Sequence, residues 1–162
     1  MNIERIRGYF EKLGYSPALE SDAKVRKWLA THHHKFTHFI DGHFEPPYAS
    51  DYREVLNQAN GEVLAQVAQG SATDVDLAMQ AAQKAFPRWS GLSGGERANW
   101  LYAIARVIAK NPRPFAVLES LNNGKTIRET RDIDIPLAIR HFLYHAGWAE
   151  IHGNEYPDLA PG

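Results

Sequence analysis

Apolar residues recur at helical spacing along most of the chain. Ile3, Ile6, Phe10 and Leu13 share one face and Gly14 is a natural stop, which predicts a helix over 3–13. Ser21 or Asp22 is placed to cap a second helix carrying Val25, Trp28 and Leu29. Together they read as an N-terminal extension. The pattern then changes. "HFIDGHF" is extended, with a turn at Asp41-Gly42, and "EPP" interrupts it because two prolines remove two ladder donors. Val55, the pair Asn60-Gly61, and then Val63, Leu64 and Val67 predict a hairpin.

From residue 71 onward the period is helical again. Ser71 and Thr73 are cap candidates, Asp74 and Asp76 suit the positive end of a helix, and Val75, Ala78, Met79, Ala82 and Phe86 form the stripe up to Pro87 as a stop. Ser93 stands three residues before Glu96, a capping-box spacing, ahead of a stripe of Trp100, Leu101, Ile104, Val107 and Ile108. Pro112 or Pro114 opens a further helix with Phe115, Leu118 and Leu121 inward and Gly124 ending it. A last helix runs through "DIPLAIRHFLYHAGWAEI", with Pro136 in its first turn. The tail "NEYPDLAPG" has no period, and no internal repeat or low-complexity segment is present.

Composition narrows the classes. The 162 residues suit one domain, and 44% hydrophobic against 23% charged is a globular balance. A net charge of -1 argues against nucleic-acid or anionic-membrane partners, which require a basic surface. Cysteine is absent, so there is no disulfide framework, thiolate zinc site or cysteine nucleophile. The charged start "MNIERIRGYFEKLGY" lacks a signal peptide's apolar run, and no stretch approaches the roughly 20 apolar residues of a bilayer span. A cytoplasmic protein is expected.

Several side chains invite chemistry. His32, His33, His34, His38 and His43 crowd into "ATHHHKFTHFIDGHF". Adjacent residues of an extended run point to opposite faces, so the three consecutive histidines do not converge, and a polar linker is the better reading than a metal site. His141 and His145 share a helix face, but Phe142 stands where an H-E-x-x-H motif needs its glutamate. Trp28, Trp89, Trp100 and Trp148 read as packing residues, and Asp132 and Asp134 as helix N-terminal charge. "SGLSGGE" follows no predicted strand and reads as a loop leading into a helix, not as a dinucleotide fingerprint.

The blocks "VLNQANGEVLAQVAQGSATDVDLAMQAAQKAFPRW", "ERANWLYAIARVIAKN", "LESLNNGKTIRET" and "HAGWAE" succeed one another in an order and spacing that resemble the N-terminal part of an aldehyde dehydrogenase, from about Phe39 to Glu150. The block "RDIDIPLAIRHFLYHAGWA" with the N-terminal extension looks closest to the bacterial branch allied to the two-module enzymes. The resemblance implies an α/β fold class: N-terminal helices, then the β-hairpin and helices of an NAD(P)-binding domain, incomplete and mostly helical as it stands. It implies an extension over 1–35 and the dehydrogenase-like part over 36–162.

It also implies an NAD(P)-dependent oxidation of aldehyde to carboxylate by the whole enzyme. That reaction needs a cysteine thiolate to attack the carbonyl. The family's cysteine, glutamate base, glycine-rich cofactor turn and oxyanion-hole asparagine all belong to later blocks. No catalytic and no cofactor-binding residue is therefore expected within these residues, and no NAD or NADP is expected to bind this chain alone. The family's structural cation is held near the hairpin start and by an L-D-N-G-K aspartate, which maps to Val55, Leu56 and Asn122; Asn122 supplies an amide oxygen without the charge. The plainer reading of "NNGK" is a helix C-terminus, with Gly124 left-handed and Lys125 at the negative end. The expected partners are the rest of the dehydrogenase or another subunit, in an oligomer. Helices made to cover a parallel sheet, with only a hairpin to cover, should leave an apolar face open or covered by another chain. The rival reading is a free-standing noncatalytic domain that binds a partner protein or a full dehydrogenase subunit.

Overall fold

A computed structural model describes residues 21–155. The helix expected over 3–13 and residues 156–162 lie outside them. Helix α1 (Ala23–Thr31) starts where the Ala23 N–H donates to Ser21 Oγ at 3.2 Å. Asp22 holds the cap position but accepts from Arg26 instead of a helix N–H. Of the expected apolar stripe, Val25 and Leu29 are buried, while Trp28 is almost half exposed. The helix closes on His33 and His34, both left-handed, with the His34 N–H reaching back to the Leu29 carbonyl at 2.9 Å.

Strand β1 (Lys35–Phe36) is parallel to β5 (Val63–Ala68), which is antiparallel to β4 (Tyr52–Leu56), so the sheet order is β1-β5-β4. β2 (His38–Ile40) and β3 (His43–Glu45) form a separate ribbon. Asp41 and Gly42 both have positive φ (51° and 84°), the two-residue turn this dipeptide predicts. The β4–β5 connection differs from expectation. Asn60-Gly61 is not a two-residue turn, because the loop runs from Asn57 to Glu62 and is organised by Asn57. Its N–H donates to the Glu62 carbonyl (2.7 Å), its carbonyl accepts from Gly61 (2.8 Å), and its side chain accepts from Ala59 (3.0 Å). Asn57 is buried, so these bonds satisfy polar groups removed from water.

Helix α2 (Ala72–Ser90) begins with a capping box between Ser71 and Asp74. Pro87 does not end it. The ring removes one hydrogen bond within a turn of the end, and the chain stays helical to Ser90. Helix α3 (Gly94–Lys110) starts with the predicted Ser93–Glu96 box. Helix α4 (Pro112–Asn123) opens on Pro112 and ends on Gly124, left-handed at φ 77°. A single turn, α5 (Ile127–Glu129), leads into a π-helical stretch, Thr130–Asp134, and then into α6 (Ile135–Glu155). Pro136 sits in the first turn of α6 as expected. It has no N–H to give, and just before it the Ile135 N–H bonds back five residues to the Thr130 carbonyl. The helix extends to Glu155, past the expected Ile151.

Two packing centres result. Val25 and Leu29 of α1, Ala65 of β5 and Val117 of α4 form the core, flanked by Phe36, Leu118, Leu121 and Ile127. The second centre joins α3 and α6 through the buried Ala98, Ala105 and Ala146. A Cβ at Gly94 would run into the Ala149 carbonyl oxygen, so the two backbones approach closely at that end. This packing corrects the predicted stripes. On α3 Ala98 and Ala105 are buried, whereas Trp100, Ile104 and Val107 face outward. On α2, Val75, Met79 and Phe86 are exposed, and on α4 Ala116 and Val117 are buried while Phe115 is not. Close helix contact selects small residues over large ones, and the period alone does not say which edge of a broad apolar face is used.

Candidate functional site

The end of α4 and the β4–β5 loop meet tightly. The Gln58 N–H donates to the Leu121 carbonyl (3.2 Å), and the space beside Gly124 is filled by the Gln58 side chain. A residue with a Cβ would be strained at Gly124 twice, by its φ and by that contact. Ser120 Oγ donates to the Lys125 carbonyl at 2.7 Å. The Lys125 ammonium donates to Asp134 at 2.9 Å, which holds its proton more firmly than usual. "NNGK" is thus a helix terminus that locks onto the hairpin loop and onto the start of α6.

Beside this junction lies a cleft of about 410 Å3. Its walls include Trp28, Phe36, Val55, Phe115, Glu119 and Asn122. Of the three residues expected at a cation, Val55 and Asn122 share the cleft and Leu56 does not line it. The Leu56 carbonyl accepts from Gln58 Nε2 at 3.4 Å. Glu119, one turn before Asn122, accepts from Asn123 at 3.0 Å. One amide and two backbone carbonyls fall short of the six oxygens a divalent ion demands, and Leu56 lies outside the cleft that Val55 and Asn122 share. Sequence reasoning did not find the cleft, because six separate elements build it.

The histidines go to unrelated places. His32 Nδ1 lies 2.8 Å from the Trp28 carbonyl, and His34 Nδ1 lies 2.8 Å from the Leu64 carbonyl. His38 Nε2 is buried without a hydrogen bond, 3.9 Å from Asp74. His43 lies in β3 and His141 and His145 are exposed on α6. Among the described residues no three histidine, aspartate or glutamate side chains gather as a metal cluster would. The tryptophans, expected to pack, are each at least two-fifths exposed, and among the described residues only Trp28 stacks closely, on Phe36 at 5.2 Å. Asp132 and Asp134 precede α6 as expected, but each also pairs with a cation, Arg131 and Lys125 respectively.

The helix N-termini carry their own anions. Ser71 Oγ and its N–H, with the Tyr48 N–H, hold the Asp74 carboxyl down to about 2. The Ser93 backbone N–H and hydroxyl likewise lower Glu96. At the glycine-rich "SGLSGGE" the helix start is therefore filled by Glu96, and Gly94 is pressed against α6. A pyrophosphate would meet a carboxylate there. These residues do not fit a dinucleotide.

A small mixed sheet carrying α1 and α4, with α2 and α3 turning broad apolar faces outward, defines an α/β module dominated by helices. Residues 47–161 match the model of the aldehyde dehydrogenase family, and the chain belongs to that family. It is 41% identical over 119 residues to the "Probable aldehyde dehydrogenase" of Streptomyces coelicolor, covering 74% of this chain and 24% of that protein. It is 40% identical over 119 residues to the aldehyde dehydrogenase of Deinococcus radiodurans, covering 74% and 23%. Among solved structures, HpcC from Thermus thermophilus superposes with a TM-score of 0.74 at 35% identity, covering 79% of this chain and 24% of that one. The NAD+ complex of a Bacillus cereus aldehyde dehydrogenase gives 0.71 at 33% identity, covering 75% and 25%. The chain spans about a quarter of the length of these relatives. No described helix is long and apolar enough to cross a membrane.

Proposed function

We propose that this chain is the N-terminal segment of an NAD(P)-dependent aldehyde dehydrogenase and that it contributes architecture rather than reacting groups. The whole enzyme oxidises an aldehyde to a carboxylate in the cytoplasm, with NAD or NADP as the acceptor. The rest of the dehydrogenase supplies the sulfur nucleophile and the cofactor seat, and packs on this segment within an oligomer. The observation that carries this reading is the outward apolar face of α2 and α3. Val75, Met79, Phe86, Trp100 and Ile104 all lie inside the family-matched stretch and are 42% or more exposed. Leaving such a face in water forfeits several kcal/mol, at roughly 25 cal/mol per Å2.

Residues 1–35 form an extension to the dehydrogenase part over 36–162. A monovalent cation at Val55, Leu56 and Asn122 ties α4 to the hairpin. Its test is the melting temperature in potassium chloride against choline chloride at equal ionic strength, with a higher value expected in potassium.

The main test is a chimera. Residues 47–161 replace the matching stretch of the Deinococcus radiodurans enzyme. The chimera is expected to oxidise aldehydes, and the 162-residue chain alone to bind no NAD by calorimetry and to turn over no acetaldehyde. A soluble but inactive chimera, or saturable NAD binding by the chain alone, overturns the reading.

A further inference from the structure

Helix α1 precedes the family-matched residues, which begin at 47, yet it buries Val25 and Leu29 in the core. It also makes one wall of a second apolar groove, of about 400 Å3, between α1, the end of α3 and the start of α4. Lys24, Trp28, Val107, Pro114, Phe115 and Leu118 line it. Trp28, Val107 and Phe115 are 45%, 58% and 42% exposed.

We propose that this groove is the seat of the chain's own residues 3–13. The inference does not depend on the dehydrogenase reading. One wall of the groove is a helix that lies ahead of the family match, and an occupant tethered to that helix would reach it first. Residues 1–20 join α1 directly. Residues 14–22 can span up to about 30 Å, ample for a segment that returns to the wall beside its own tether. Such a tether gives the segment a high effective concentration at the groove, which a separate molecule lacks. Ile3, Ile6, Phe10 and Leu13 make an apolar stripe on a segment too short to hold a helix without a partner surface.

The absence of cysteine makes the test clean. In the full chain, Phe10→Cys with Val107→Cys should oxidise to a disulfide within one molecule, whereas Phe10→Cys with Val75→Cys on α2 should not. No bond in the first pair, bonding in both pairs, or a bond between molecules (a second copy in the groove) each overturns the proposal. Independently, alkylation of a lone Val107→Cys thiol should rise about tenfold when Phe10→Asp and Leu13→Asp are added, as when a segment seated nine-tenths of the time is released. An unchanged rate overturns it. Lys24→Cys, on the exposed side of α1, reads the same release if the Val107 variant does not fold.

Discussion

Arg26 and Glu62 lie 36 residues apart and are joined by two parallel hydrogen bonds, of 2.8 and 3.1 Å, between guanidinium and carboxylate. Arg26 belongs to α1, ahead of the family match, and Glu62 to the hairpin loop within it. The Arg26 bond lowers the Glu62 carboxyl, and Glu62, then Asp22, raise the Arg26 guanidinium. The planar fork joins α1 to the β4–β5 loop. Both groups are over 40% exposed, so water and salt screen the attraction. Arg26→Ala should lower the melting temperature by no more than about 3 °C. The difference should vanish in molar salt, and it should shrink as pH falls below the ordinary glutamate range towards the lowered folded value, where Glu62 takes up its proton in the fold as well.

Leu29 should matter far more than Arg26. It is 3% exposed in the core that α1 shares with β5 and α4. Leu29→Ala removes buried methyl groups and leaves a cavity, at a cost of about 2–5 kcal/mol. Urea unfolding followed by circular dichroism measures it. A loss under about 1 kcal/mol would mean that α1 is not part of this core.

Gly94 marks the close approach of α3 to α6 at the Ala149 carbonyl. In an ordinary helix Gly→Ala stabilises. Here the added Cβ meets backbone, which has no rotamer to move aside. Gly94→Ala is expected to destabilise by about 1–3 kcal/mol. Gly95 has open space around it, so Gly95→Ala serves as the control and should be neutral or mildly stabilising.

Asp74 carries the clearest pH signature. Its carboxyl is lowered to about 2 in the fold, below its ordinary value near 4, first by the Ser71 hydroxyl and then by the Ser71 and Tyr48 N–H groups. A lowered folded value means stability that is fully present above about pH 4 and is lost as pH falls towards 2. Wild type should exceed Asp74→Asn in urea midpoint at pH 7 by an amount that shrinks steadily between about pH 4 and 2. A pH-independent difference between the two would contradict the assignment.

Much of the fold was legible because the signals are local. The Ser71–Asp74 and Ser93–Glu96 boxes, the Asp41-Gly42 turn, the Gly124 stop and Pro136 in a first turn each depend on residues within four positions of one another. Such interactions form wherever the segment is placed. The motif order that marks the family is legible for the same reason, being a linear string. Two local rules were nevertheless overruled. Pro87 lies too near a helix end to cost more than one bond, and the buried Asn57 binds the whole hairpin loop in place of the Asn60-Gly61 pair.

Tertiary structure alone decided which part of each apolar face is used. Periodicity puts Trp100 in the apolar stripe and leaves Ala98, two residues away, off it, but the nearness of α6 makes the alanine the buried residue. It alone brought Arg26 to Glu62, Lys125 to Asp134 and Val55 to the cleft of Asn122, since contacts between distant segments leave no spacing in the sequence. The chain by itself determined its helices, its turns and its family, through interactions a few residues long. Which apolar residues became core and which became open surface was set by how closely the backbones could approach one another.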